Sequence, residues 1–375
     1  MISFLQGDVF DNIKKLDDDS IDCVVTSPPY WGLRDYGTAS YQGGDPNCQH
    51  TITDGIVDNK NNKLIERPDR ASDKKNCVKC GAKRIDKQLG LEPTYQEHIQ
   101  NIVELFRAMK PKLKDSATIW LNYGDSYAAT VNGTKVKDMK KNLQKNRIEN
   151  KGKTNGVYDD RGFIDKPFST IQGSLKPKDL VMIPNRIAIA LQDDGWWIRS
   201  EIIWHKPNPM PESTKDRPTS CHEKIWLITK SKKYYYDADA IKEPCKDNYK
   251  NTSNHFRDSK NYLNGNSFKN SNIVTNKKEN LEKKFYSLKN KRNVWTVTTK
   301  PCKDAHFATF PKDLIEPCIK AGCPENGIVF DPFGGSGTTG IVAKLFNRKS
   351  IMSELNPEYI KIAKARINKE FGMFK

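Results

Sequence analysis

The stretch Ser27-Pro28-Pro29-Tyr30 places a hydroxyl, two prolines and an aromatic ring directly after a β-branched run. Residues 24–26 are typical of the end of a buried strand, and proline cannot continue a sheet because it lacks the N–H that pairing requires. The prolines hold the backbone rigid, so that a carbonyl can point at a ligand instead of into a sheet. Taken alone, the stretch fits either such a binding corner or a proline-rich loop that closes a strand.

A second stretch, residues 327–367, has the order strand, glycine loop, helix, strand and acid. A buried strand ends at Asp331, an apolar helix begins at Thr338, and a second strand ends at Glu354. This order is half of a Rossmann-like unit, in which the last acid is placed to hold a ribose diol. The glycines allow close approach of a ligand to the backbone. Their spacing differs from the NAD and FAD pattern, and no P-loop lysine follows them.

The loop DPFGGSGTT, residues 331–339, closely resembles the S-adenosylmethionine loop of amino-methylating DNA methyltransferases. TSPPYW, residues 26–31, resembles the Pro-Pro element of the same family. The resemblance implies a Rossmann-like class I methyltransferase fold of the α/β class, with a mostly parallel sheet, helices on both faces, a C-terminal-type β-hairpin and polar insertions. The cofactor-binding residues that it implies are Asp8, His306, Phe307, Asp331, Phe333, Gly334, Gly335, Ser336, Gly337, Thr338 and Glu354.

The resemblance also implies the chemistry of the corner. The exocyclic amino nitrogen of cytosine or adenine is a poor nucleophile, because its lone pair is conjugated into the ring. The Ser27 side chain and the Pro28 carbonyl would accept from the amino group and draw the nitrogen toward tetrahedral geometry, on a turn stiffened by Pro29. Tyr30 would stack on a base flipped out of duplex DNA. Catalysis would then consist mainly of positioning and electrostatics, with in-line attack on a sulfonium methyl.

The order of the motifs, base pocket first and cofactor loop last, resembles the β-group of this family. Serine before Pro-Pro is typical of its cytosine-N4 enzymes, which favours N4 of cytosine over the alternative, N6 of adenine. Cytosine-C5 methylation needs a cysteine nucleophile, and Cys318 lies in an apolar helical pattern typical of a core residue.

Two alternatives come from other classes. One is a zinc-containing DNA-binding protein with an inactive methyltransferase fold, against which the intact motif residues argue. The other is methylation of RNA or of a protein glutamine, whose enzymes usually have the reverse motif order.

Four further residues have the types and spacing of a metal site: Cys48, His50, Cys77 and Cys80. A Cys-x-x-Cys-Gly stretch is a common zinc knuckle, and the first pair can complete a tetrahedral set across a gap of 26 residues, 51–76. The insertion is too polar to fold on a core of its own, which favours a structural zinc ion. A redox motif lacks its usual strand–helix context here, and unligated cysteines in a loose loop remain the alternative.

The chain of 375 residues has a formal charge of +17, with 63 Lys and Arg against 46 Asp and Glu. Residues 129–166 carry +5 of this charge and residues 241–292 carry +8. Such clustering favours double-stranded DNA as the partner, with free Lys-rich loops as the alternative. The resemblance adds a cognate restriction endonuclease as a partner, and a homodimer stays open. Nine cysteines, no signal peptide and no membrane-spanning apolar run indicate a cytoplasmic protein without a membrane partner.

The motifs must be positioned by a catalytic domain that three insertions interrupt. The predicted parts of the catalytic domain are residues 1–47, 84–128, 167–240 and the cofactor-binding part 293–375. The predicted insertions are the zinc-binding segment 48–83, the flexible basic segment 129–166 and the basic target-recognition region 241–292. Outside the two motif stretches, strands are predicted within 117–126, 196–206 and 223–231, and helices near 94–110 and within 179–192.

Overall fold

The protein is described from a computed structural model, which covers residues 1–48, 50, 76–77, 79–129, 168–244, 288–299 and 309–372. Three short strands beyond these ranges, at 56–58, 63–65 and 164–165, are described by their backbone alone. His306, Phe307 and the greater part of both basic insertions lie outside the described residues.

The strands, in chain order, are β1 (Ile2–Gln6), β2 (Ile21–Thr26), β3 (Arg34–Asp35), β4 (Ser40–Gln42), β5 (Ile56–Asp58), β6 (Lys63–Ile65), β7 (Lys83–Ile85), β8 (Leu113–Tyr123), β9 (Ile164–Asp165), β10 (Trp197–His205), β11 (His222–Thr229), β12 (Glu243–Pro244), β13 (Leu288–Lys289), β14 (Val294–Thr296), β15 (Ile328–Asp331) and β16 (Lys349–Glu354). Eight of them form the central sheet in the order β1-β16-β15-β2-β8-β11-β10-β14. The first five strands of this order are mutually parallel. β11 is antiparallel to both of its neighbours. The predicted mostly parallel sheet with a hairpin, β10–β11, is thereby confirmed.

The described helices are α1 (Val9–Ile13), α2 (Tyr95–Met109), α3 (Ile183–Asp193), α4 (Lys312–Gly322), α5 (Thr338–Leu345) and α6 (Pro357–Phe371). Short 3₁₀ turns cover Lys110–Lys112 and Asp239–Ile241. Helix α2 begins where the Thr94 hydroxyl accepts from the N–H of Glu97 at 3.2 Å, a side-chain N-cap. Helix α3 begins later than the pattern from residue 179 suggests, because Met182 has φ of 62° and cannot be helical.

Among the described residues, a larger and a smaller hydrophobic core lie on opposite faces of the sheet. Helices α1, α2 and α3 contribute to the larger core through Ile13, Phe106 and Ile187. The smaller core is made by Ile2, Ile341, Met352 and Ile367, from β1, α5, β16 and α6. Ile351 packs against the larger core and its neighbour Met352 belongs to the smaller one, as the alternation of side chains along a strand requires. Helices therefore cover both faces of the sheet.

The chain divides into two compact units, residues 1–237 with 292–375 and residues 238–291. In the second unit the described part is the 3₁₀ turn with its buried Ile241 and the antiparallel pair β12–β13. Within the part of the chain that the structure describes, no helix has both the length and the apolar character needed to cross a bilayer.

Candidate active site

A cavity of about 700 Å³ opens at the carboxyl ends of the parallel strands. The Pro-Pro corner contributes Ser27, Pro28, Pro29 and Tyr30 to its lining, and the other stretch contributes Asp331, Phe333, Gly334, Gly335, Ser336, Thr338 and Glu354. Ligands of open α/β sheets bind at this edge, because the loops that follow parallel strands converge there. The structure thus brings the two stretches, from opposite ends of the sequence, to one site.

The glycine loop between β15 and α5 is packed too closely for side chains at two positions. A Cβ on Gly334 would lie 2.8 Å from the Cβ of Met352. A Cβ on Gly337, whose φ is 79°, would lie 2.9 Å from that of Ala363, and Gly337 does not line the cavity. The guanidinium of Arg366 donates to the carbonyl and the hydroxyl of Ser336 and braces the loop from α6.

Asp331 ends β15 with a carboxylate that is only 1% exposed. Its Oδ1 accepts from the Thr26 hydroxyl at 2.8 Å and the N–H of Phe333 at 3.0 Å, and its Oδ2 accepts from the Thr339 hydroxyl at 2.6 Å. Burial raises the pKa of Asp331 to about 6, against the opposing effect of these three donors. The carboxylate is therefore fixed in direction and titrates close to neutral pH.

Glu354 ends β16 and reaches across to the glycine loop. Its Oε2 accepts from the N–H of Gly335 at 2.8 Å, and its Oε1 accepts from the N–H of Asn356 at 2.9 Å. Burial raises the pKa of Glu354 to about 7, while the backbone donors act in the opposite direction. Each oxygen keeps a second lone pair for a further donor in the cavity.

Asp8, a predicted cofactor residue that follows β1, is engaged with the start of helix α1. Its side chain caps α1 by accepting from the N–H groups of Phe10 and Asp11 at 3.0 and 3.3 Å. The residues on either side of it, Gly7 and Val9, line the cavity, whereas Asp8 does not. The structure therefore gives Asp8 a structural part in starting the helix.

The corner is ordered by hydrogen bonds and by ring stacking. The Ser27 hydroxyl donates to the Tyr30 hydroxyl at 3.3 Å, which in turn donates to Glu223 Oε2 at 2.8 Å. The ring of Tyr30 stacks on that of Tyr123 with centroids 4.4 Å apart. Burial, followed by the charge of Glu223, raises the pKa of Tyr30 well above its ordinary value, so its hydroxyl stays a donor.

Sequence reasoning missed a polar cluster, Asn122, Lys206 and Glu223, that lies beside the corner and lines the same cavity. The Asn122 amide donates to Glu223 Oε2 at 3.1 Å, and Lys206 forms an ion pair with Glu223 Oε1. Lys206 directly follows a predicted strand, where a pocket residue and a simple turn are equally consistent with the sequence, so that lysine is not singled out. A polar residue inside the apolar run 119–123 was the available signal for Asn122.

Behind the corner lies a buried hydrogen-bonded chain. The backbone N–H of Trp31 donates to the Tyr123 hydroxyl at 2.7 Å, and that hydroxyl lies 2.8 Å from His98 Nε2. The other ring nitrogen of His98 lies 2.9 Å from Glu92 Oε2. His98 is fully buried. Burial alone would raise the pKa of Glu92, but the hydrogen bond and electrostatic effect of His98, together with the hydrogen bond from Asn101, outweigh it, so that the pKa of Glu92 is lowered. This chain fixes the residue that directly follows Tyr30.

The four predicted metal ligands come together at the base of the first insertion. The ligand atoms of Cys48, His50, Cys77 and Cys80 all lie within 4.8 Å of one another. The sulfurs of Cys48 and Cys77 are 3.9 Å apart, and Cys80 Sγ is 3.3 Å from His50 Nδ1. The N–H of Gly81 donates to the Cys77 carbonyl at 2.8 Å, which closes the turn of a knuckle. Strands β4 and β7 pair beside the cluster and hold its two halves together.

Comparison with known proteins agrees with this geometry. Residues 21–365 match the N6/N4 family model described as DNA methylase. The chain is 36% identical over 368 residues to the type II methyltransferase M.Cfr9I of Citrobacter freundii, spanning 98% of this chain and 88% of that protein. It is 37% identical over 361 residues to the type II methyltransferase M.SmaI of Serratia marcescens, spanning 96% and 89%.

A solved structure shares the fold. The PvuII DNA methyltransferase (cytosine-N4-specific) superposes with a TM-score of 0.52 at 16% identity, covering 97% of this chain and 86% of that one. The Rossmann-like class I methyltransferase fold is thereby confirmed. The family match over residues 21–365 and the two similar methyltransferases show that the chain belongs to the N4/N6 family of type II DNA methyltransferases.

Proposed function

We propose that the protein transfers the methyl group of S-adenosylmethionine to N4 of a cytosine that is flipped out of duplex DNA. The observation that carries the proposal is that the glycine loop and the Pro-Pro corner line one cavity. A methyl donor held by the first and an amino group held by the second would meet there for direct transfer. When bound, S-adenosylmethionine supplies an electrophilic sulfonium methyl.

The cofactor half of the site is formed by Asp331, the glycine loop and Glu354. Glu354 stands at the tip of β16, where its remaining lone pairs would accept from the two ribose hydroxyls. Asp331 and the loop backbone would hold the methionine part, with Phe333, Gly334, Ser336 and Thr338 around it. The family resemblance adds His306, Phe307 and Asp8 to this set.

The acceptor half is formed by Ser27, Pro28 and Tyr30. Because the Ser27 hydroxyl donates a hydrogen bond to the Tyr30 hydroxyl, its lone pairs are left to accept from the amino group of a base. The Pro28 carbonyl would accept the second amino hydrogen, so that the nitrogen lone pair is withdrawn from the ring and faces the methyl group. One face of Tyr30 rests on Tyr123, and its ring lines the cavity in which the flipped base would stack.

The choice of N4 of cytosine rests on Ser27, since serine before Pro-Pro is typical of cytosine-N4 enzymes of this family. The alternative is the same transfer to N6 of adenine. Cys318 is buried inside α4, and no cysteine is among the described residues that line the cavity, so no described cysteine lies where it could attack C5 of a base.

Expression in a methylation-free host, followed by digestion of its DNA and mass spectrometry of the nucleosides, tests this function. N4-methylcytosine is the expected product, and N6-methyladenine would select the alternative. 5-Methylcytosine, or a covalent adduct with DNA that contains 5-fluorocytosine, would overturn the mechanism.

A structural zinc ion is proposed for Cys48, His50, Cys77 and Cys80. Three thiolates with one imidazole in a tetrahedral set are among the donor sets that structural zinc prefers. The spread of the four ligand atoms, within 4.8 Å, is that of atoms which share one small ion. The ion would tie the insertion 48–83 to strands β4 and β7.

Duplex DNA is proposed to contact the basic insertions, 129–166 and 241–292, with the latter as the target-recognition region. Their joint charge of +13, from +5 and +8, would neutralise DNA phosphates. The type II naming of the relatives supports a cognate restriction endonuclease as the functional partner.

A further inference from the structure

We propose that Lys206, oriented by Glu223, donates a hydrogen bond to the ring nitrogen next to the methylated amino group of the flipped base. The pair would thereby admit bases that carry an acceptor at that ring position and reject bases that carry an N–H there. The inference rests on the proposed function and deepens it, because it names the residues that read the base beyond its amino group.

Glu223 is already engaged by three protein donors. Its Oε2 accepts from the Tyr30 hydroxyl at 2.8 Å and from the Asn122 amide at 3.1 Å, while its Oε1 is paired with Lys206. These donors come from three different segments that meet at the cavity wall. Glu223 therefore acts as an anchor for its neighbours, and the group free to contact a base is one of those neighbours.

Lys206 is held in place at both its backbone and its ammonium group. Its backbone N–H donates to the Cys221 carbonyl at 2.7 Å, directly after the paired end of β10. Its ammonium is paired with Glu223 and lies 4.4 Å from the centre of the Trp204 ring. The side chain is 19% exposed and lines the cavity. An ammonium has three donors, so one remains to be directed at a ligand.

The four bases differ in the ring nitrogen that lies next to the exocyclic group. Cytosine and adenine both carry an unprotonated ring nitrogen, N3 or N1, next to the exocyclic amino group. Thymine and guanine carry an N–H at the corresponding position and a carbonyl in place of that amino group. Acceptors at Ser27 and Pro28 beside a donor at Lys206 match the hydrogen-bonding groups of cytosine and adenine. They oppose those of thymine and guanine.

The positive charge of Lys206 must also be compatible with methyl transfer. Methyl transfer moves positive charge from the sulfonium to the attacking nitrogen, so an isolated cation beside the base would oppose the reaction. Glu223 balances the charge of Lys206 at hydrogen-bond distance. The lysine can therefore serve as a donor without placing a net positive charge against the base.

Base analogues test the proposal. The target base, once identified by sequencing of modified DNA, is placed opposite an abasic site so that pairing to the other strand does not differ between duplexes. Natural cytosine is compared with 3-deazacytosine, or adenine with 1-deazaadenine, since the analogue replaces only the ring nitrogen by C–H. Equilibrium binding is measured with S-adenosylhomocysteine present, for the wild type, Lys206→Met, Glu223→Gln and Glu201→Gln. Glu201 is the matched control, because it forms a similar ion pair with Lys224 away from the cavity.

We expect the wild type and Glu201→Gln to prefer the natural base by roughly 10- to 100-fold. Lys206→Met should bring this ratio close to one, and Glu223→Gln should lower it. A wild type that binds both duplexes equally, or a Lys206→Met variant that keeps the full preference, would overturn the proposal. Methyl transfer to the natural duplex is measured separately, and its absence in the wild type would contradict the proposed function without altering the binding comparison.

Discussion

Thr26 and Asp331 are joined by a hydrogen bond across 305 positions of sequence, with the threonine hydroxyl donating to Asp331 Oδ1 at 2.8 Å. Thr26 directly precedes the Pro-Pro corner, and Asp331 begins the glycine loop. The bond runs between the neighbouring parallel strands β2 and β15. Together with the pairing of these strands, it fixes the Pro-Pro corner relative to the glycine loop.

Thr26→Val is expected to lower the free energy of unfolding by about 1–3 kcal/mol, because a buried carboxylate oxygen loses a donor. The hydrogen bond lowers the pKa of Asp331, which burial raises to about 6, so its loss raises that pKa further. The destabilisation should be larger at pH 8, where Asp331 is ionised, than at pH 5, where it is mostly protonated. Urea unfolding at both pH values measures this, with Thr26→Ser as the control that keeps the hydroxyl. Equal destabilisation at the two pH values would contradict the assignment.

Glu354→Ala should weaken the binding of S-adenosylmethionine by about 1.5–3 kcal/mol through the loss of charge-assisted hydrogen bonds to the ribose. Isothermal titration calorimetry gives the affinity directly. Glu358→Ala is a suitable control, since Glu358 lies four positions away, exposed in the first turn of α6, and pairs with Lys361. Unchanged affinity in Glu354→Ala would remove Glu354 from the cofactor site.

The affinity for S-adenosylmethionine should fall at acidic pH, because burial raises the pKa of Glu354 to about 7. If only the ionised carboxylate holds the ribose, the affinity at pH 6 is about tenfold below that at pH 8. Stability of the unliganded protein should change in the opposite sense: folding raises this pKa, so stability present at low pH is lost as the pH rises through about 7. Calorimetry from pH 5.5 to 8.5 checks the first effect, and Glu354→Gln should flatten the profile. A wild-type profile identical to that of the variant would refute this role.

Tyr30→Ala should reduce methyl transfer to DNA while leaving the affinity for S-adenosylmethionine nearly intact. Stacking of a base on an aromatic ring contributes roughly 1–3 kcal/mol, so a loss of about 5- to 150-fold in kcat/KM is expected. Tyr30→Phe, which keeps the ring, should retain most of the stacking. Ser27→Ala should act mainly on kcat, because its hydrogen bond matters most as the amino nitrogen rehybridises. Single-turnover kinetics separate the two effects, and a Tyr30→Ala variant with the wild-type rate would exclude base stacking.

The purified protein should carry about one equivalent of zinc. Replacing both Cys77 and Cys80 by serine should release the metal and make the insertion 48–83 more sensitive to protease. Cys221→Ser is the control, because Cys221 lies outside the four-residue cluster. Elemental analysis that finds no zinc, in protein produced with zinc available, would show that the cluster is not a metal site.

Local sequence patterns predicted the elements that follow one another directly along the chain. The unit from Ile328 to Glu354 combines strand, glycine loop, helix, strand and acid within a short span, so its geometry follows from neighbouring residues. Glu223 could not be placed in this way: it stands at the start of an apolar strand, and its partners Tyr30 and Asn122 are 193 and 101 positions away. Only the sheet order β2-β8-β11-β10 brings these strand ends together.

The sheet order has a consequence for synthesis of the protein. β15 and β16 lie between β1 and β2, and among the described strands β1 pairs with β16 alone. On the ribosome β1 must therefore wait for β16, and the facing edge of β2 stays open for about 300 residues of translation. A nascent chain halted before β15 would carry that open edge, a site where chaperones or aggregation compete with folding. The two stretches that line the cavity can therefore come together only after the segment that carries β15 and β16 has been translated.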